Sequence, residues 1–248
     1  MRPHRILVLL LATAAMAVAQ SGKPWEYQGK QGPVNWSKLD GANRACSQGH
    51  EQSPIDIRGA HLDKNLAPLE FHFISGPVTL LNDGRTITVN VDPGSTLAAD
   101  GVRYELKNLS FHHPSENAVK GKLTDMDVEM LFQSADGKMA VVASRMSLDL
   151  DQPNAALAAL WAHLPTKADT SSKIDDMINP AGFLPADRGY WSFEGSLATP
   201  PCTEGVRWFV FENPITVSRD QLRTFTRIFA VSSRPLQDTH GRKIAASE

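Results

Sequence analysis

Short runs of alternating apolar and polar residues recur along the chain from residue 69 onward. They lie at Leu69–Ile74, Val78–Leu81, Thr86–Val91, Arg103–His112, Val128–Gln133 and Met139–Met146. Successive side chains of a strand point to opposite faces, so a period of two predicts β-strands. The segments Asn82-Asp83-Gly84 and Asp136-Gly137 are turn sequences. The pattern therefore predicts a mainly β protein built on a large meandering sheet.

Two segments carry helical signals. We expect a helix over Ala155–Leu164 with Asp151 as its cap. Ser218, followed three residues later by Gln221, forms a capping box for a second helix that ends near Phe229. Helices are thus few and peripheral.

The N-terminus is typical of an export signal. Arg2 and Arg5 precede a short apolar run that closes on an Ala-x-Ala cleavage pattern. We predict a signal peptide over residues 1–19 and one mature domain over residues 20–248; the alternative is a buried N-terminal helix. The run is too short for a membrane span, and no other apolar run approaches that length. The expected location is the periplasm or the extracellular medium.

Composition and charge exclude some partners. The formal net charge is −2, and it becomes −4 when Arg2 and Arg5 are removed with the signal peptide. A mildly acidic domain has no electrostatic footprint for nucleic acid or for anionic lipid. No internal repeat or Gly/Ser linker marks a domain boundary, and about 230 residues suits a single all-β domain.

Cys46 and Cys202 are the only two cysteines. In an oxidising compartment we expect them to form a disulfide, and the alternative is a pair of free buried thiols. The bond would close a loop of about 155 residues. On the chain-entropy model, closing such a loop would stabilise the fold by roughly 5 kcal/mol.

Several ordered segments resemble the α-class carbonic anhydrases between about Trp25 and Arg242. They are Gln52–Ile57, Val91–Ser95, Tyr104–Leu106, Phe183–Tyr190, Gly195–Gly205, Arg207–Phe209 and Arg234–Gln237. The resemblance implies a twisted, mostly antiparallel ten-stranded sheet with short peripheral helices and a conical cleft that leads to zinc. Both cysteines fall where bacterial members carry a disulfide. Carbonic anhydrase is the standard example of a three-histidine zinc site that activates water.

On this resemblance, the three zinc-ligand positions are Ser110, His112 and Leu131, so only His112 is retained. Pro114-Ser115-Glu116 anchors the alignment. An H-x-H pair can supply two ligands because residues i and i+2 of a strand share a face. No two of the eight histidines are separated by one or three residues. His113 is expected to point to the opposite face and to pack without metal contact.

The other catalytic positions of the family are also altered. Ala198 replaces the threonine that orients the zinc-bound hydroxide, although Thr199 beside it matches. Arg85 stands at the proton-shuttle position, where a guanidinium cannot relay protons. Glu116 and Glu129 have lost the partners that they have in the family. We expect both carboxyls to be buried, with raised pKa values or with new hydrogen-bond donors.

These positions predict an exported pseudoenzyme with a degenerate zinc site, no metal cofactor and no CO2 hydratase activity. Its cleft would then serve as a binding or scaffold module for an unknown small molecule, anion or protein, and Arg85 near the mouth would favour an anion. The alternative is a carbonate dehydratase with an altered, weak metal site at His112 and a carboxylate. A structural role, for example in a homodimer, is the third interpretation.

Overall fold

The computed structural model describes residues 24–149 and 152–248. The predicted signal peptide and Asp151 lie outside these residues. Within them, no helix has the length and apolar character needed to cross a membrane.

The described residues form fifteen strands and four short α-helices. The helices are α1 (Trp36–Leu39), α2 (Ala45–Gln48), α3 (Ala155–Trp161) and α4 (Arg219–Thr226). The strands are β1 (Asp56–Ile57), β2 (His61–Leu62), β3 (Glu70–His72), β4 (Gly76–Asn82), β5 (Ile87–Val91), β6 (Thr96–Ala99), β7 (Val102–His112), β8 (Ala118–Val119), β9 (Met126–Ser134), β10 (Met139–Leu148), β11 (Thr170–Ile178), β12 (Tyr190–Ser196), β13 (Glu204–Phe211), β14 (Ile215–Val217) and β15 (Ala245–Ala246).

One large sheet dominates the described part of the chain. Ten strands form a continuous path in the order β11-β4-β5-β7-β9-β10-β13-β12-β15-β2, and β3, β6 and β14 join it from the side. Most neighbours are antiparallel, whereas β10 pairs in parallel with β13 and β14, and β15 with β2. The predicted fold, mainly β with a large and mostly antiparallel sheet, is confirmed.

All six predicted strands form, with shifted ends, but one helix cap was wrong. The helix α3 begins at Ala155, and its cap is Asn154, whose side chain accepts a hydrogen bond from Leu157 N. A cap must directly precede the first turn to reach its free N–H groups, and Asp151 is too far upstream. The Ser218–Gln221 capping box of α4 is present as predicted.

Alternation along β7 places core residues on one face of the strand and candidate-site residues on the other. Leu109 and Phe111 are buried in the main hydrophobic core, where Phe111 contacts Trp161 of α3 edge-on. Burying each such side chain stabilises the fold by about 1.5–3 kcal/mol. Ser110 and His112 therefore point to the opposite face of the sheet.

The predicted disulfide between Cys46 and Cys202 is confirmed. The sulfur atoms are 2.07 Å apart, and the bond joins residues 156 positions apart in sequence. It links α2 to the loop between β12 and β13, which carries Ala198 and Thr199. Both cysteines pack against Trp36 in a small separate cluster, so the bond fixes the N-terminal segment beside that loop.

Candidate functional site

A cavity of about 350 Å³ opens on the face of β7 that carries Ser110 and His112. It brings together seven of the residues predicted from the sequence. They are Arg85, Ser110, His112, Glu129, Leu131, Ala198 and Thr199. Glu116 does not line the cavity, and its side chain is fully buried behind it.

Strand register builds the floor of this cavity in two rows. Ser110 of β7 lies opposite Thr88 of β5 on one side and Glu129 of β9 on the other, which gives a polar row. The second row runs from Asn108 through Leu131 and Val141 to Trp208 and becomes apolar along its length. The cavity thus has one hydrogen-bonding side and one apolar side.

Both ring nitrogens of His112 are occupied by protein contacts. Nδ1 lies 2.7 Å from the carbonyl oxygen of Ser232, and Nε2 lies 3.0 Å from Ser110 Oγ. Burial lowers the pKa of His112 from 6.5 to about 4, so the ring is neutral at pH 7. A carbonyl oxygen only accepts, so Nδ1 carries the proton and the Ser110 hydroxyl donates to Nε2.

Glu116 and Asp127 form a buried carboxyl pair behind the floor. The Glu116 carboxylate accepts hydrogen bonds from Arg234 N, and Glu116 N donates to Asp127 Oδ2 at 2.8 Å. Burial raises the pKa of Asp127 from 3.8 to about 8. Burial and the neighbouring Asp127 also raise the pKa of Glu116. Its Oε1 is 3.5 Å from His112 Nδ1. Because the pKa of His112 is low, the imidazole ring is uncharged at pH 7 and this contact is not an ion pair.

Glu129 has an unsatisfied carboxyl oxygen. Its Oε1 is buried without a hydrogen-bond partner, and its Oε2 is 3.8 Å from His112 Nε2, too long for a hydrogen bond. Burial, Asp127 and Glu116 together raise the pKa of Glu129. Leu131, two residues along the same strand face, offers no donor.

Arg85 holds the N-terminal segment against the mouth of the cavity. Its Nε donates to the Trp25 carbonyl oxygen at 2.7 Å, and its guanidinium lies 4.5 Å from the centre of the Trp25 ring. Its Nη1 is 3.7 Å from Asp83 Oδ2. The charge of Arg85 is therefore already engaged by an aromatic face and an acid.

Comparisons with known proteins agree with this architecture. A family model, eukaryotic-type carbonic anhydrase, matches residues 31–248. A carbonic anhydrase of Klebsiella pneumoniae is 37% identical over 95% of this chain and 96% of its own length. One from Pectobacterium carotovorum is 36% identical over 96% and 97%. The structure of the Photobacterium profundum α-carbonic anhydrase superimposes with a TM-score of 0.84 at 37% identity, covering 91% of this chain and 100% of that one.

The chain belongs to the α-class carbonic anhydrase family.

Ser110, His112 and Leu131, the residues that we expect at the family's zinc-ligand positions, do not fit a three-histidine site. Leu131 has no lone pair to donate, and the hydroxyl of Ser110 is a neutral group already bonded to His112. The lone pair of the His112 imidazole lies on Nε2 and is already used, because it accepts that hydrogen bond. Glu129 Oε1 has no hydrogen-bond partner, and the leucine side chain at position 131 has no donor to offer. Among the described residues, no group of three or more His, Cys, Asp or Glu side chains is arranged to hold a metal ion.

His113 lies where the alternation of β7 predicts, away from the carbonic anhydrase cleft. Its Nδ1 is 2.7 Å from the carbonyl oxygen of Asp125, and its backbone N–H donates to Ser232 Oγ. Ala198 lines the cleft with a methyl group, next to the hydroxyl of Thr199.

Sequence reasoning missed seven polar or aromatic residues of the cleft, namely Trp25, Tyr27, Asp83, Thr86, Thr88, Asn108 and Trp208. Asn108 was within reach, because it precedes Ser110 by two residues on the same strand face. Thr88 depends on the register between β5 and β7. Tyr27 carries a buried hydroxyl without a partner, and burial together with the nearby carboxyls raises its pKa.

Proposed function

We propose that this protein is a non-catalytic member of the carbonic anhydrase family, exported to the periplasm or the medium, whose cleft binds a small molecule. The observation that carries the proposal is the contact between Ser110 and His112. It consumes the only imidazole lone pair at the former ligand positions, beside an apolar Leu131. The disulfide supports an oxidising location.

Magnitudes support the loss of tight metal binding. A complete structural zinc site in a small peptide contributes on the order of 10–16 kcal/mol, so each of four ligands contributes roughly 3–4 kcal/mol. Losing two histidines therefore removes about half of the binding free energy of the whole site. The remaining imidazole would also have to give up its hydrogen bond with Ser110.

The alternative, a weak altered metal site, has one geometric candidate beside His112. Glu129 Oε2 faces the same nitrogen, Nε2, at 3.8 Å, whereas Glu116 lies on the Nδ1 side of the ring. The two carboxyls therefore cannot join His112 around one ion. Metal analysis combined with a CO2 hydration assay decides between this alternative and the proposal.

The test is metal analysis of protein purified without chelator, followed by stopped-flow CO2 hydration. We expect substoichiometric zinc and hydration at the uncatalysed rate. Stoichiometric zinc together with hydration above background would overturn the proposal.

Reconstruction gives a second, positive test. Ser110→His with Leu131→His should restore zinc binding, and adding Ala198→Thr should bring back measurable hydration. The matched control is Ser110→Asn with Leu131→Asn, which places polar groups at the same positions without imidazoles. If the folded histidine variant binds no more zinc than this control, the assignment of the ligand positions is wrong.

A further inference from the structure

Two exposed histidines outside the cleft lie side by side on the surface. His50 follows α2, and His240 lies in a turn near the C-terminus. The centres of their imidazole rings are 5.1 Å apart, and the ring planes are inclined by 66°. The nearest acceptor to His240 Nδ1 is Asp238 Oδ1 at 4.0 Å, too long for a hydrogen bond. Within the described residues neither ring has a hydrogen-bond partner, so their nitrogens are open to a ligand from solvent.

The spacing of the two rings is that of a pair sharing one metal ion. An ion bound by two imidazole nitrogens at about 2.0–2.1 Å, with a roughly tetrahedral angle between them, holds the ring centres about 5 Å apart. An edge-to-face contact between rings gives a similar separation. The rigidity and the charge of the surroundings distinguish a metal site from a simple ring contact.

Arg242 fixes the two histidine-bearing loops relative to each other. Its Nη2 donates to the Gln52 carbonyl oxygen at 2.7 Å and to the Asp238 carbonyl oxygen at 3.0 Å, so one guanidinium joins the backbone next to both histidines. Its Nε donates to the Thr239 carbonyl oxygen at 3.0 Å. The backbone N–H of His240 donates to Asp238 Oδ1 at 2.7 Å and closes the turn. Loops held in place in this way lose little freedom when they bind a ligand.

The charge around the histidine pair favours a cation. Burial lowers the pKa of Arg242, and the nearby carboxylates of Glu51, Glu204 and Asp238 oppose that shift. Three carboxylates thus surround one guanidinium and leave an excess of negative charge beside the imidazoles. Such an excess attracts cations and repels anions.

The ligand atoms select the kind of cation. Imidazole nitrogen suits Zn²⁺, Cu²⁺ and Ni²⁺, whereas Mg²⁺ and Ca²⁺ prefer oxygen ligands. No third His, Cys, Asp or Glu side chain of the described residues converges on the pair, so water would complete the coordination shell.

We propose that His50 and His240 together bind one divalent late transition-metal ion at an exposed site, with Cu²⁺ held most tightly. Neither residue lines the cavity that contains His112. The inference therefore goes beyond the proposed function and does not depend on it.

The first test is isothermal titration calorimetry of the full mature protein with Cu²⁺, Zn²⁺ and Mg²⁺ at neutral pH. Two imidazoles supply half of a four-ligand shell, so we expect a dissociation constant for Cu²⁺ in roughly the micromolar range. Zn²⁺ should bind about tenfold more weakly or less, and Mg²⁺ should not bind. The absence of saturable Cu²⁺ binding, or equal binding of Mg²⁺, would overturn the inference.

Glutamine variants test whether the two rings act together. His50→Gln and His240→Gln should each weaken Cu²⁺ at least about tenfold. Because a shared ion is lost when either ring is removed, the two single losses should multiply to more than the loss in the double variant. The control is His61→Gln, an exposed histidine on β2, which should leave the affinity unchanged. Full affinity in both single variants would overturn the inference, and so would losses that multiply to that of the double variant.

NMR of the unmodified protein locates the ion even if a variant fails to fold. Substoichiometric Cu²⁺ is paramagnetic and should first broaden the signals of His50 and His240. Broadening that begins at His112 and Glu129 would place the ion in the cleft and overturn the inference. Failure of the proposed function has a different signature, namely stoichiometric zinc with CO2 hydration above background, whether or not the His50–His240 pair binds a metal.

Discussion

The buried carboxyl of Asp127 should make the protein less stable as the pH rises. Asp127 is completely buried, one of its oxygens has no partner, and its pKa is raised from 3.8 to about 8. The folded state therefore holds this proton over a pH range in which the unfolded chain has released it. Where the folded state binds more protons than the unfolded state, stability falls as the pH increases.

The size of the effect follows from the shift. Between pH 3.8 and pH 8 the contribution of one such group falls by about 1.4 kcal/mol per pH unit, and it levels off above the folded-state pKa. From pH 6 to pH 9 the free energy of unfolding should drop by about 3 kcal/mol on account of Asp127. In a domain of this length that corresponds to a fall of roughly 10 °C in melting temperature.

The assay is urea denaturation of the wild type and of Asp127→Asn at pH 6 and at pH 9. Asparagine can still accept from Glu116 N but cannot ionise, so the variant should lose about 3 kcal/mol less than the wild type over this range. Asp136→Asn is the control, because Asp136 is exposed in a turn and its pKa is lowered by Ser134 and Lys138. A wild type whose stability is flat or rises from pH 6 to pH 9, or parallel slopes for wild type and Asp127→Asn, would refute the reasoning.

Three other features give further tests. Replacing Cys46 and Cys202 together with alanine should lower the free energy of unfolding by about 5 kcal/mol, measured by urea denaturation; an equally stable variant would contradict the chain-entropy argument. Arg85→Ala should release Trp25, seen as a red shift and stronger quenching of tryptophan fluorescence by iodide, whereas an unchanged spectrum would show that Arg85 does not hold the segment. Nitrogen-15 NMR of His112 should show the proton on Nδ1 at pH 7 and titration well below pH 6; a midpoint above 6 would contradict the buried neutral ring.

The sequence predicted the long alternating strands β7 and β9 and missed the exposed edge strand β11. The strands β7 and β9 alternate because one side packs in the core, and both were expected. The edge strand β11 is exposed along most of its length, so its residues carry no period of two. Its pairing with β4 depends on tertiary contacts that no local pattern encodes.

The grouping of the candidate-site residues could be predicted from the sequence, whereas most of their contacts could not. Ser110 and His112 share a face of β7, as alternation predicts, and both line the cavity. The interpretation of Ser110 and Leu131 as replaced zinc ligands stays a prediction. The contact between Arg85 and Trp25 joins residues 60 positions apart, and no local sequence pattern predicts it. The hydrogen bond that satisfies Glu116 comes from Arg234 N, 118 positions away, for the same reason.

The two faces of β7 and β9 have different tolerance to mutation. Leu109, Phe111 and Met130 are fully buried, so changes there create cavities that cost several kcal/mol. Ser110 and Leu131 are only partly buried and border an open cleft, where a new side chain displaces water and leaves the core intact. A protein with this scaffold can therefore change its cleft residues one at a time and still fold. For this reason, overall similarity to an enzyme is a poor guide to whether a given relative still catalyses the reaction.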